Sequence, residues 1–131
     1  MDRQGVPTEQ LMTPDIVTVT SDTTIDEAVD TIIENDIGSL MVVDEDDHLS
    51  GVITNNDFVD FLADGEYGTD VTIDQFMTDE VITINADDSI QTAAARMITN
   101  SISHLPVVDD DGKTLGMLST TDITAYSVSR A

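Results

Sequence analysis

The sequence contains no cysteine, and only 4 of its 131 residues are lysine or arginine. Without cysteine there is no disulfide, no thiolate-held zinc, no iron–sulfur cluster and no thiol nucleophile, a composition that suits a reducing compartment. With so few cations no basic patch can form to release counterions from phosphate, which excludes nucleic acid and anionic membrane surfaces as partners. No apolar run reaches the about eighteen residues of a membrane-crossing helix, and the opening MDRQGVPTEQ lacks the apolar stretch of a signal peptide. A soluble cytoplasmic protein is the expectation.

What the chain has in excess is acid. Its 27 Asp and Glu residues give a formal net charge of −23, while the hydrophobic content is an ordinary 40%. Charge of one sign at this density would loosen a fold in dilute buffer. The apolar residues are periodic, however, as in a folded domain rather than a disordered tail. Concentrated salt reconciles the two, because at molar ionic strength the Debye length falls to about 3 Å and self-repulsion is screened. A halophilic source is the expectation.

The chain also repeats itself. Shifted by 65 residues, Val6 to Phe61 aligns without a gap on Val71 to Tyr126, with Met12 on Met77, Asp22 on Asp87, Ile37 on Ile102, Gly51 on Gly116 and Asp57 on Asp122. Each copy predicts a short helical turn ending in LMT or FMT, then an extended IVTVT or VITIN. A helix follows, with Thr24 and Glu27 spaced as a capping box and Ser89 capping the second copy, where Thr92 replaces the glutamate. Its apolar face carries Ile25, Ala28, Val29, Ile32 and Ile33, or Ile90, Ala93, Ala94, Met97 and Ile98. The pairs LMVVD with LSGVIT, and LPVVD with LGMLS, read as β-hairpins across acidic turns. A last helix starts near Asn55 or Thr120. The fold class is thus α/β (α+β), two tandem β-α-β-β-α repeats over residues 6–62 and 71–127, joined by a linker over 63–70 that holds two glycines.

This order, with MT before a β-branched strand, then LPVVD, then G-x-x-x-x-x-D, resembles the cystathionine β-synthase (CBS) domain family over most of the chain, as a tandem pair. The resemblance implies repeats packed through their sheets with pseudo-twofold symmetry, leaving two clefts that bind adenosine-containing ligands. By the same resemblance Asp57 and Asp122 accept hydrogen bonds from ribose hydroxyls. Two acceptor oxygens suit a cis-diol, and charge-assisted bonds are among the stronger ones. Thr54 and Ser119 would donate to ribose or phosphate beside the helix N-terminus. An equally local reading makes Thr54 with Asp57, and Ser119 with Asp122, plain helix caps. The family shapes its adenine slot with positions that are Thr18, Ile37 and Ser39 here, and Thr83, Ile102 and His104 in the second copy. Met41 stands where the second copy keeps Pro106. The permanent cations are Arg3, Arg96, Lys113 and Arg130, so an adenosine without phosphates or with a short phosphate chain is easier to hold than free ATP.

No Walker loop, G-x-G-x-x-G or H-E-x-x-H is present, and the acidic turns lack the ligand order of a calcium loop. No nucleophile, base and orienting group can be assembled. The expectation is therefore no enzyme, no catalytic residue, no metal and no obligatory cofactor. The leading function is a regulatory, signal-transducing module that binds AMP, ADP, ATP or an S-adenosylmethionine-type ligand and modulates an unknown partner protein. The alternative is a constitutive interaction scaffold without ligand. By the same resemblance a homodimer is expected in either case, with Phe58, Phe61, Leu62, Ile123, Tyr126 and Val128 as interface candidates that core packing explains equally well. The net charge of −23 also predicts that circular dichroism melts across a KCl series will rise in midpoint and sharpen toward molar salt; a midpoint flat from dilute buffer to molar salt overturns the halophilic reading.

Overall fold

A computed structural model describes residues 5–14, 16–63 and 70–129. Most of the expected linker, 64–69, and the cations Arg3 and Arg130 lie outside the described residues. The fold is α+β. Its elements run β1 (Thr13–Pro14), β2 (Thr18–Val19), α1 (Ile25–Asn35), β3 (Ser39–Val43), β4 (Leu49–Thr54), α2 (Asn55–Ala63), β5 (Ile84–Asn85), α3 (Ile90–Asn100), β6 (His104–Val108), β7 (Thr114–Ser119) and α4 (Thr120–Ser129), with 3-10 turns at Thr8–Gln10 and Ile73–Gln75. The extended stretches IVTVT and VITIN contribute only two ladder residues each, as β2 and β5.

The chain divides into two compact units, Val17–Val81 and Met1–Ile16 with Ile82–Ala131. Each repeat read in the sequence therefore gives its leading turn to the other copy's sheet. In the Val17–Val81 unit the sheet order is β2-β3-β4, β2 parallel and β4 antiparallel to β3. The second repeat's leading segment closes its edge. Val52 and Thr78 exchange backbone hydrogen bonds of 2.9 and 3.0 Å, and Ile25 N–H donates to the Val71 carbonyl at 3.0 Å. In the other unit the order is β1-β7-β6-β5, with Thr13 opposite Met117 and Pro14 opposite Gly116. There Thr8 is fully buried, its amide and hydroxyl both donating to the Asp88 carbonyl, at 2.8 and 2.7 Å.

Each unit has its own core. One gathers Ala28, Leu40, Val42, Ile53 and Ile73, with Phe76 and Met77 of the borrowed segment packed against them. The other gathers Ile84, Ala93, Met97, Leu105, Val107 and Leu118, with Leu11 and Met12 supplied in the same way. Phe76 lies edge-on to Phe58 at 5.7 Å and stacks on Phe61 at 5.2 Å. Phe61 is buried in this cluster, and Ile123, partly buried, packs against the other core. Ile33 and Ile98 depart from their helices' expected apolar faces, being 70% and 79% exposed. The buried direction of α1 runs through Ile25, Ala28 and Ile32, and Ile33 falls one residue, about 100°, beyond it.

Helix ends follow from local chemistry. Thr24 and Glu27 form the full capping box, and Ser89 accepts from the Thr92 amide. Both first helices end in a left-handed residue, Asp36 at φ 52° and Ser101 at φ 55°. The next amides, Ile37 and Ile102, reach back to the Ile32 and Met97 carbonyls at 3.2 and 3.0 Å, a Schellman closure that carries both isoleucines onto the cores.

Gly51 and Gly116 are required by space rather than by backbone angle, since neither has positive φ. A Cβ on Gly116 would lie 2.6 Å from the Thr13 carbonyl oxygen and 2.7 Å from Met12 Sδ; on Gly51 it would lie 2.6 Å from Met77 Sδ and 2.9 Å from the Thr78 oxygen. Gly116→Ala is expected to lower stability by about 1–3 kcal/mol, and Gly51→Ala by less, because the backbone carbonyl facing it is 2.9 rather than 2.6 Å away. Urea denaturation of both variants checks this, and equal or absent losses contradict the crossing geometry.

Candidate functional site

In both repeats a strand ends, a helix begins, and an aspartate sits one turn in. Thr54 closes β4, and its amide donates to Asp57 Oδ2 at 2.8 Å while its hydroxyl lies 3.3 Å from the same oxygen. Ser119 closes β7; its amide donates to Asp122 Oδ2 at 2.9 Å, and the Asp122 amide donates to Ser119 Oγ at 3.0 Å. The second pair is a capping box with aspartate in the glutamate's place and the first shows its aspartate half, so the local capping role exists. It uses one oxygen of each carboxylate. Among the described residues Oδ1 of Asp57 and of Asp122 accepts no hydrogen bond. An ionised carboxylate offers about four acceptor positions, so capping leaves room for a hydroxyl pair. Both aspartates and both hydroxyl residues are half-buried.

The other expected residues gather at the same sheet ends within each unit. Ser39 pairs directly with Thr54, and Asn55 N–H donates to the Gly38 carbonyl at 3.2 Å, tying the start of β3 to the start of α2. His104 pairs with Ser119, and Thr120 N–H donates to the Ser103 carbonyl at 3.0 Å. His104 is half-buried, with Nδ1 3.3 Å from Ser103 Oγ. Thr18 is exposed on β2 opposite Met41. Thr83 lies just before β5, which starts one residue later than its counterpart; Pro106, opposite, has no N–H to extend the ladder. Ile37 and Ile102 are only partly buried and pack on the cores, so each borders its sheet end rather than standing in the open.

One residue absent from the expected set belongs beside it. Arg96 Nη1 donates to the Thr83 carbonyl at 2.7 Å, which fixes a guanidinium at the start of β5. The corresponding position in the first repeat is Thr31, whose hydroxyl turns back to the Glu27 carbonyl at 2.8 Å. Sequence spacing placed Arg96 on an exposed helix; only the tertiary bond shows where its head group goes.

The acidic hairpin turns are built alike. Asp44 Oδ1 accepts from the Asp46 and His48 amides at 2.9 and 3.0 Å, and Asp109 Oδ1 from the Asp111 and Lys113 amides at the same distances. The His48 and then the Asp46 amide bonds hold the Asp44 carboxyl below its ordinary value. Potential ligand atoms of Asp44, Asp46 and His48 lie within 4.8 Å of one another, the one such group among the described residues, but the turn's own backbone engages its central carboxylate. No helix among the described residues is long and apolar enough to cross a membrane.

The profile of the CBS domain family matches the chain twice, over residues 9–64 and 73–129. Homoserine O-acetyltransferase of Methanosalsum zhilinae is 33% identical over 119 residues, which are 91% of this chain but 23% of that protein. The chain spans about a quarter of the length of this relative and of the three other homoserine O-acetyltransferases it matches. The CBS domain pair of protein MJ0100, solved with 5′-methylthioadenosine and S-adenosyl-L-methionine, superposes with a TM-score of 0.89 at 30% identity, covering 98% of this chain and 100% of that one. CBSX2, solved with AMP, gives a TM-score of 0.82 at 25% identity over 95% of this chain and 98% of that one.

Proposed function

The chain belongs to the CBS domain family, and from that premise we propose that it is a non-catalytic sensor whose two strand-to-helix corners bind adenosine-containing ligands. The observation that carries this reading is the doubled aspartate. Asp57 and Asp122 each cap a helix with one oxygen and keep the other free of hydrogen bonds among the described residues. Thr18, Ile37, Ser39 and Thr54 border the first site, and Thr83, Ile102, His104 and Ser119 the second. The adenosine ligands held by the similar domain pairs support the ligand class. Binding acts on a partner protein by shifting the population of pre-existing arrangements, within the limit set by the ligand's differential affinity for them.

The two aspartates test the reading directly. In calorimetry the parent should bind AMP, or failing that S-adenosylmethionine or 5′-methylthioadenosine, in up to two events, and Asp57→Asn and Asp122→Asn should each lose one. The expected loss is roughly 1.5–3 kcal/mol, about tenfold to a hundredfold in affinity, with unliganded stability little changed because asparagine also caps. Matching 2′-deoxy ligands should bind as weakly as the variants do. A parent that none of these ligands stabilises, in thermal shifts that include ADP and ATP with and without magnesium, overturns the sensor and leaves the constitutive scaffold.

We also propose a homodimer in the cytoplasm, formed through the last helix of each repeat. Val59 and Val128 support it, being 61% and 69% exposed on α2 and α4, where a monomer would leave them in water. Light scattering in concentrated KCl should give twice the chain mass, and a monomer at high micromolar concentration rules the dimer out.

A further inference from the structure

The two candidate sites have the same aspartate but differ in the charge of the helix that leads into each. Helix α1, which leads into Ser39, carries Asp26, Glu27, Asp30 and Glu34 and no base. Helix α3, which leads into His104, carries no acid and one base, Arg96. Both span 11 residues at matching positions of the repeat, so the difference is four carboxylates against one guanidinium on equivalent scaffolds. The guanidinium is also held in place, with Nη1 on the Thr83 carbonyl at the sheet end where His104 pairs with Ser119. Its other N–H groups make no hydrogen bond among the described residues, and a guanidinium fork matches phosphate oxygens in geometry as well as charge. His104 adds an imidazole on that side, where the first repeat has the smaller hydroxyl of Ser39.

We infer that Arg96 makes the Asp122 site selective for a phosphate-bearing adenosine ligand, whereas the Asp57 site takes an adenosine whose 5′ substituent is uncharged or cationic. The inference rests on the adenosine-binding reading above. In the second repeat one donor of Arg96 keeps the Thr83 carbonyl while the rest of the fork accepts a 5′-phosphate beside His104. In the first repeat the matched position offers no cation, only the Thr31 hydroxyl already turned to its own helix, and α1 adds Asp30 and Glu34 on the turns around it. A phosphate there would give up water for no cation and meet repulsion, while a thioether avoids that repulsion and a sulfonium is attracted.

Calorimetry with one site at a time separates this from a merely structural role for Arg96. In the Asp57→Asn background, which retains the Asp122 site, AMP should bind at least about tenfold tighter than 5′-methylthioadenosine. Adding Arg96→Thr, the first repeat's own residue, should weaken AMP by about tenfold to a hundredfold and leave 5′-methylthioadenosine within about twofold. Arg96→Lys, which keeps the charge but not the fork, should retain part of the AMP preference and serves if the threonine variant folds poorly. In the Asp122→Asn background the order of the two ligands should reverse. Equal losses of both ligands on Arg96→Thr, or AMP binding that ignores the substitution, overturn the assignment while leaving adenosine binding intact. An Asp57→Asn protein that binds neither ligand, when the parent also binds neither, removes the adenosine reading itself and this inference with it.

Discussion

The contact on which the architecture depends is a backbone carbonyl resting on a glycine. Thr13 crosses Gly116, and Thr78 crosses Gly51, close enough that a single methyl group would collide with the carbonyl. The approach lets Met12 and Met77 reach the two cores and gives β7 and β4 a partner on their outer edge, which would otherwise present unpaired amides and carbonyls. The candidate site lies on the same strand, three residues further on. Ser119 and Thr54 end the strands that these crossings anchor, so the placing of each aspartate inherits its precision from a glycine three residues before the corner.

Duplication explains the doubled corner, and divergence at a few positions explains why the two corners are not equivalent. The hairpins, the Schellman closures and the capping aspartates repeat nearly atom for atom. What differs is chemistry at matched places: Thr31 and Arg96, Ser39 and His104, Met41 and Pro106, His48 and Lys113. Each changes charge or hydrogen-bonding capacity, and only Pro106 also changes the ladder, where β5 starts one residue later. A scaffold fixed by main-chain bonds and glycine contacts tolerates such changes at Thr31 and Arg96, Ser39 and His104, and His48 and Lys113, which lie outside the cores, whereas Met41 and Pro106 are both buried.

Local features were legible in the sequence because local chemistry decides them. The starts of α2 at Asn55 and α4 at Thr120, the Thr24–Glu27 box and both hairpins stand where capping residues, helical spacing and turn aspartates placed them. The exchange of leading segments was not legible, because both copies carry the same MT and the same glycine and either pairing would satisfy the same chemistry. Only the connections between them decide, and periodicity does not record those. Phe61 looked like a surface aromatic for a related reason: its partner, Phe76, comes from the other copy. Arg96 was visible as a cation but not as a neighbour of the site, since its bond to Thr83 spans a helix and a loop.

The exchange also gives the two units different histories during synthesis. Residues 17–81 form one unbroken stretch that includes the segment closing its own sheet, so a nascent chain can complete that core once Val81 has cleared the ribosome. The other unit is split around it. Leu11 and Met12 are made before residues 17–81, yet the strands they cover, β6 and β7, follow almost a hundred positions later. Until then their apolar side chains have only non-native surfaces to meet, and closing so long a loop carries an entropy cost that grows with the logarithm of its length. The unit that contains Arg96 and Asp122 is accordingly the later to mature, and a stall in translation after Val81 would release a chain with one finished sheet and one waiting edge.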